Sequence, residues 1–351
     1  MKSTYILTLM ATLSWAYAQS PAIEGVPVDS DKQYEYMVVN FTWFPSIPAK
    51  MPSLDYYNQI NLVSLNAVLG ISARLRGFEV GGFGNIETEG VVGFQAAGAL
   101  NAVRGPTTGI QLAGAFNLVS GDLRGAQLAG AINLVRSNTK ALQMAGASNI
   151  VLGEMRGVQL AGASNVVLGE MRGVQIAGAV NYAHTVNGLQ VGAFNFAQIN
   201  NGLALGWFSH ARNMPARITV YADEAGVVNF GVKSGVKPGR VSITTMFTVS
   251  TSGLDGLPWE SASWTSNLWE ATGTVGIGVY IPLSVLFFEL DWLGTAFVTD
   301  SFDYLNQGRF QVGLQLRPRF ALVGGVIMDE PFVSTNQAIH YMAGLEFSLG
   351  G

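Results

Sequence analysis

From Gly77 onward the chain repeats itself. Related segments begin at Gly93, Gly109, Gly125, Ala141, Gly157, Gly173, Gly188 and Gly202, spaced by 16 residues as far as Gly173 and then by 15 and 14. A fixed period constrains the fold more than any single residue, because each unit must bury a face against its neighbours. The clearest copies are GVQLAGASNVVLGEMR (157–172) and GAQLAGAINLVRSNTK (125–140). Inside a copy the side chains alternate with a period of two, which is the signature of a strand. Val158, Leu160, Gly162, Ser164, Val166 and Leu168 share one face; Gln159, Ala161, Ala163, Asn165 and Val167 share the other. One face is bulky and apolar. The other is small and polar.

The unit is also nearly palindromic about its central glycine. Gln159 stands three residues before Gly162 and Asn165 three after it, with Ala161 and Ala163 as the flanks. A strand that looks alike when reversed suits antiparallel neighbours, so each repeat reads as one strand with GEMR, GDLR or SNTK as its turn. The strand portion then has the 9–11 residues of a tilted transmembrane strand. Weaker alternation continues through Arg217–Ala222, Val227–Lys233, Arg240–Ser250, Thr274–Ile281, Leu286–Val298, Phe310–Arg317, Phe320–Met328 and Tyr341–Leu349. The predicted fold is all-β: a transmembrane antiparallel up-and-down barrel of roughly 16–18 strands, built partly from one-strand 16-residue repeats. The alternative is a soluble parallel solenoid with the bulky face packed inward and Gln and Asn ladders in solvent.

Composition fits a membrane barrel. Only 12% of the 351 residues are charged against about 25% in an ordinary soluble domain, 49% are hydrophobic, and 43 are glycine. Mean hydropathy is +0.30, yet beyond the N-terminus no apolar run reaches the length of a transmembrane helix. A net charge of −4 argues against nucleic acid as a partner. The absence of cysteine excludes disulfides, thiolate metal sites and cysteine nucleophiles. Residues 1–18 read as a signal peptide: Lys2, an apolar stretch from Tyr5 to Trp15, then Ala16-Tyr17-Ala18 as the cleavage site. Residues 19–351 then form a single outer-membrane barrel domain, with the repeat array at 77–210 and irregular C-terminal strands at 211–351.

The tandem G-x-Q-x-A-G-x-x-N units resemble a family of exported Gram-negative surface-repeat proteins. The lead-in Val63-Ser64-Leu65-Asn66, followed by Gly77-Phe78-Glu79-Val80-Gly81-Gly82 and Asn85, is similar to the way that family opens its array. The segments 276–292, 310–329 and 340–351 resemble outer-membrane barrel proteins. The resemblance implies an outer-membrane location and supplies no catalytic residues.

Function therefore has to be read from the wall of the expected barrel. The inward positions are Glu79, then Gln111, Gln127, Gln143, Gln159 and Gln175, then Asn117, Asn133, Asn149, Asn165 and Asn181, and finally Glu289, Asp291, Arg317 and Glu346. Lining a lumen, they would make a passive pore for small solutes, with the charged members as a constriction. A stretch from Leu254 to Ala271 carries Trp259, Trp264 and Trp269 among polar residues. It reads as an extracellular loop that either contacts a partner or settles in the interfacial aromatic belt. The alternative function is surface binding or adhesion without transport, through that loop of a closed barrel or as a soluble β-solenoid. The three histidines (His184, His210 and His340) lack metal spacing, and no hydrolase, zinc, phosphate-loop or calcium motif is present. The expectation is a non-enzyme with no cofactor and no metal, its partners being outer-membrane lipid and permeating solutes; oligomeric state is not readable.

Overall fold

Two glycines in most repeats set the path of the backbone; the copy that opens on Ala141 keeps only the second. Gly109 sits at φ +139°, and a Cβ there would lie 1.8 Å from the carbonyl oxygen of Gly93. The central glycine of the next Ala-Gly-Ala, Gly130, leaves no more room: its Cβ would meet Gly114 O at 2.0 Å. Both positions require backbones to approach as only glycine allows. The atom approached lies in each case one repeat back.

The structure, a computed structural model, describes residues 34–43, 58–223, 228–237, 239–251, 271–298, 302–329 and 339–349. Among these the protein is all-β, with no helix. It divides into two compact units, Met1–Val174 and Gln175–Gly351.

In the first unit the repeats form a parallel β-solenoid, not the expected antiparallel transmembrane barrel. Thr107–Ala113 pairs in parallel with Leu123–Ala129, which pairs with Thr139–Ala145, and that strand with Met155–Ala161, always 16 residues apart. A second series runs beside it: Leu100–Val103, Phe116–Val119, Ile132–Val135 and Ser148–Val151. One repeat is thus one coil of two short strands. The centre of the palindrome is a bend, and its two arms are opposite walls of the same coil. Gln stacks on Gln and Asn on Asn, whereas the antiparallel reading had set Gln against Asn. The physical error lies in the period: alternation fixes which face a side chain takes but not the direction of the neighbouring strand.

The alternative reading, a parallel solenoid, holds for the topology of the repeats and is corrected in its faces, which are the other way round. Gln, Asn and a Val/Thr/Leu/Met column point inward, while Ile110, Phe116, Leu142 and Met144 are exposed. Removing one whole coil (residues 125–140) should leave a folded protein, since Gln111 then stacks on Gln143 in unchanged register. A single-strand repeat could not tolerate this, as every later strand would reverse direction. Collapse of the β-sheet circular dichroism of that deletion variant would sink the parallel assignment.

The second unit opens with shorter coils, 14 residues apart (Val180 on Phe194, Phe194 on Phe208). It then forms a closed antiparallel barrel of eight strands. These are Arg217–Asp223, Val228–Ser234, Ser242–Thr251, Ala271–Leu283, Leu286–Val298, Phe302–Arg317, Phe320–Asp329 and Ile339–Ser348. The first and last pair to close the circle. All eight correspond to segments with period-two alternation in the sequence. Their outward positions carry residues such as Ile277, Leu290, Trp292, Phe310, Leu345 and Phe347, all exposed.

Candidate functional site

Inside the barrel the alternation delivers charge. Arg217, Lys233, Glu289, Asp291, Arg309 and Glu346 are all buried, three positive and three negative. Lys233 sits between two carboxylates: its Nζ donates to Glu289 Oε2 at 2.6 Å and also to Glu346 Oε1. Arg217 Nη1 reaches Glu346 Oε2 at 3.2 Å. Arg309 grips Asp291 Oδ2 through Nη2 at 2.7 Å and Nε at 3.0 Å. Gln311 Nε2 ties the groups together, donating to Glu289 at 2.7 Å and Glu346 at 3.1 Å. Full pairing is what makes these charges tolerable away from water.

Aromatic rings fill the space that remains. The guanidinium of Arg217 lies 5.2 Å from the ring centre of Tyr280 and 5.5 Å from that of Phe287. That of Arg309 lies 5.4 Å from Tyr221, and the arrangement is a set of cation–π contacts. Tyr280 and Phe287 pack with Val236, Ala321 and Val323. An eight-stranded barrel is just wide enough for its own side chains. At this level the interior is a packed core.

The expected lumen residues divide accordingly. Glu289, Asp291 and Glu346 do meet on the inner wall, joined by Arg217 and Arg309, which the sequence reading missed. Arg317 does not: it is exposed, because the register shifts between Gln315 and Arg317 where the strand ends. The Gln and Asn positions are inward but line no lumen. Gln111, Gln127, Gln143, Gln159, Gln175, Asn117, Asn133, Asn149, Asn165 and Asn181 are all completely buried inside coils. Trp259, Trp264 and Trp269 lie outside the described residues, as does the 1–18 segment.

The two buried ladders run in opposite senses. Each Gln donates Nε2 to the Oε1 one coil earlier, Gln127 to Gln111 and Gln143 to Gln127 at 2.8 Å. Each Asn donates one coil later, Asn117 to Asn133 and Asn133 to Asn149 at 2.9 Å. It also bonds a backbone carbonyl of the facing strand, as Asn133 does to Met144 O at 2.7 Å. The Gln ladder ends on Glu79, whose oxygens accept from Gln95 at 2.9 Å and from Asn66 at 2.8 Å. An acceptor suits that end of a chain of donors, which explains Glu in place of Gln in the first coil.

Beside it Glu87 is fully buried, and burial first, then the neighbouring Glu79, hold its carboxyl well above the usual carboxylate range. A proton held by the folded form and released by the unfolded chain makes stability fall with rising pH. That contribution is full below the ordinary carboxylate range and is lost as pH climbs toward the folded value. Glu87→Gln should therefore stabilise the protein at pH 8 by on the order of 1–3 kcal/mol, seen as a higher thermal midpoint, and leave the midpoint unchanged near pH 4. A drop at pH 8, followed by circular dichroism in detergent, would show that Glu87 is needed as a charge.

No family model matches the chain, and no curated protein does. Among solved structures it is similar to Neisserial surface protein A (NspA), at 10% identity and a TM-score of 0.22, over 39% of this chain and 94% of that one. At that score the likeness carries no weight for fold or function.

Proposed function

We propose that the chain is an outer-membrane protein whose eight C-terminal strands form a lipid-embedded, side-chain-filled barrel that anchors the repeat coils at the cell surface. The observation that carries this reading is the inverted polarity of the barrel. Every charged residue of its strands whose exposure the structure describes takes an inward position or, as Arg317 does, a strand end, while the outward positions are uncharged and, apart from polar residues such as Thr245 and Asn306, apolar or glycine. In water that distribution would be unfavourable; in a bilayer it avoids the cost of charge on the lipid side. Closure leaves no unpaired edge, as hydrocarbon demands. The export signal in residues 1–18 and the resemblance to surface-repeat proteins support the outer membrane in particular.

A structural anchor fits the interior better than the pore considered from sequence, since the paired charges and rings occupy the space a solute would need. The purified protein should migrate faster before boiling than after it on a detergent gel, and should give no steady conductance in planar bilayers. A stable single-channel current would overturn the sealed barrel. Extraction from membranes by alkaline carbonate would overturn membrane embedding altogether.

A further inference from the structure

The solenoid has two unlike edges. Each coil of the first unit bends twice, once at Ala-Gly-Ala and once about eight residues later (at 120–122 or 136–138, for example). Between residues 98 and 174 every charge lies at or next to the second bend: Arg104, Arg124, Arg136, Lys140, Arg156 and Arg172, with Asp122, Glu154 and Glu170. Six basic and three acidic groups make this edge net positive in a protein whose net charge is −4. An open groove of about 420 Å³ lies on it, lined by Arg124, Lys140 and Arg156 together with Asp122 and Glu154. The Ala-Gly-Ala edge carries no charge at all, and both walls leading to it expose apolar side chains: Ile110, Leu142 and Met144 on one, Phe116 on the other.

We infer that this unit is itself seated in an anionic lipid leaflet, with the Ala-Gly-Ala edge and both apolar walls among acyl chains and the basic edge at the headgroup phosphates. Three observations carry it. First, the amides of the uncharged edge need no water. The bend amides bond to the coil before: Gly114 N to Ala97 O and Ala115 N to Ala99 O, then Gly130 N to Ala113 O and Ala131 N to Ala115 O, all at 3.0–3.1 Å. The polar side chains are spent on the internal ladders. Backbone satisfied within the structure is the condition for contact with hydrocarbon. Second, five residues (Gly125–Ala129) separate Arg124 from the bend. At about 3.3 Å per residue they span roughly 16 Å, close to half of the ~30 Å hydrocarbon thickness of a bilayer. Third, the excess positive charge lies where anionic headgroups would meet it.

The inference rests on the reading that the chain reaches a membrane, and the test separates the two. The sequence contains no cysteine, so single variants Ile110→Cys, Ala115→Cys, Ser120→Cys and Leu345→Cys can each carry one nitroxide label in the full chain. The variants are reconstituted in phosphatidylcholine–phosphatidylglycerol vesicles, and collision with oxygen is compared with collision with a water-soluble nickel chelate. The oxygen-to-nickel ratio should be several-fold higher at positions 110 and 115 than at 120, and comparable to that on the barrel exterior at 345. Nickel access at 110 and 115 equal to that at 120, with 345 still lipidic, would overturn the leaflet-seated solenoid alone. Labels at 110 and 115 shielded from both reagents would overturn it in favour of a second copy covering the walls. Nickel access at 345 as well would overturn the membrane reading too.

Discussion

Replacing Lys233 with methionine should cost the barrel about 3–5 kcal/mol, the range for removing one partner of a buried ion pair. Methionine reproduces the side chain as far as Cε and removes the ammonium, so the loss is chiefly electrostatic. Glu289 would keep Gln311 and Thr244 as donors but lose its only ion pair among the described residues, the Nζ at 2.6 Å. Glu346 would retain Arg217 at 3.2 Å. Two carboxylates that now share one cation would face each other across a packed interior. The double variant Lys233→Met, Glu289→Gln restores the charge balance and should recover most of the loss, because unbalanced charge, more than absence of the pair, is the costly state. The checks are urea midpoints in detergent micelles, read by tryptophan fluorescence. A single variant as stable as the parent would mean that the cluster contributes nothing to the barrel.

Much of the barrel was legible because alternation alone determines a strand's two faces. Phe310, Val312 and Leu314 oppose Gln311 and Gly313 in the sequence and on the wall alike. Arg309 was passed over because the strand segment read from the sequence starts at Phe310, yet it sits two positions before Gln311 in the same alternation. Continuing that pattern backward is the signal that would have found it. Arg217 offers less, a lone arginine at a strand start whose partners lie far away in sequence.

The repeats were legible in sidedness but not in topology. Period two assigned Gln159 and Asn165 to one face, and both are buried as a shared face requires. What misled was the symmetry about Gly162, equally compatible with a reversed neighbour and with a chain folded back at its middle. The deciding physical clue is the strictness of the register. Amides at 16-residue intervals match a stack of identical coils, in which each amide donates to its own kind. An antiparallel sheet needs no such identity.

The solenoid stands or falls on its ladders, and Asn133 is the place to test them. It is completely buried, accepts from Asn117, and donates to Asn149 at 2.9 Å and to Met144 O at 2.7 Å. Asn133→Leu would strand three buried polar groups, at about 1–3 kcal/mol each and less than additively. A loss of about 3–5 kcal/mol is expected. In a solenoid each coil holds only its neighbours, so the damage should spread locally along the stack. Amide hydrogen exchange should show lost protection in coils from about Gly109 to Leu160, with the Leu286–Val298 and Phe302–Arg317 barrel strands unaffected. The outward change Leu142→Ala should be mild in detergent by comparison, within the roughly 0.5 kcal/mol of most surface substitutions. A solenoid with an apolar interior and solvated amide ladders requires the opposite ranking. Finding Leu142→Ala the more damaging of the two would therefore turn the coils inside out.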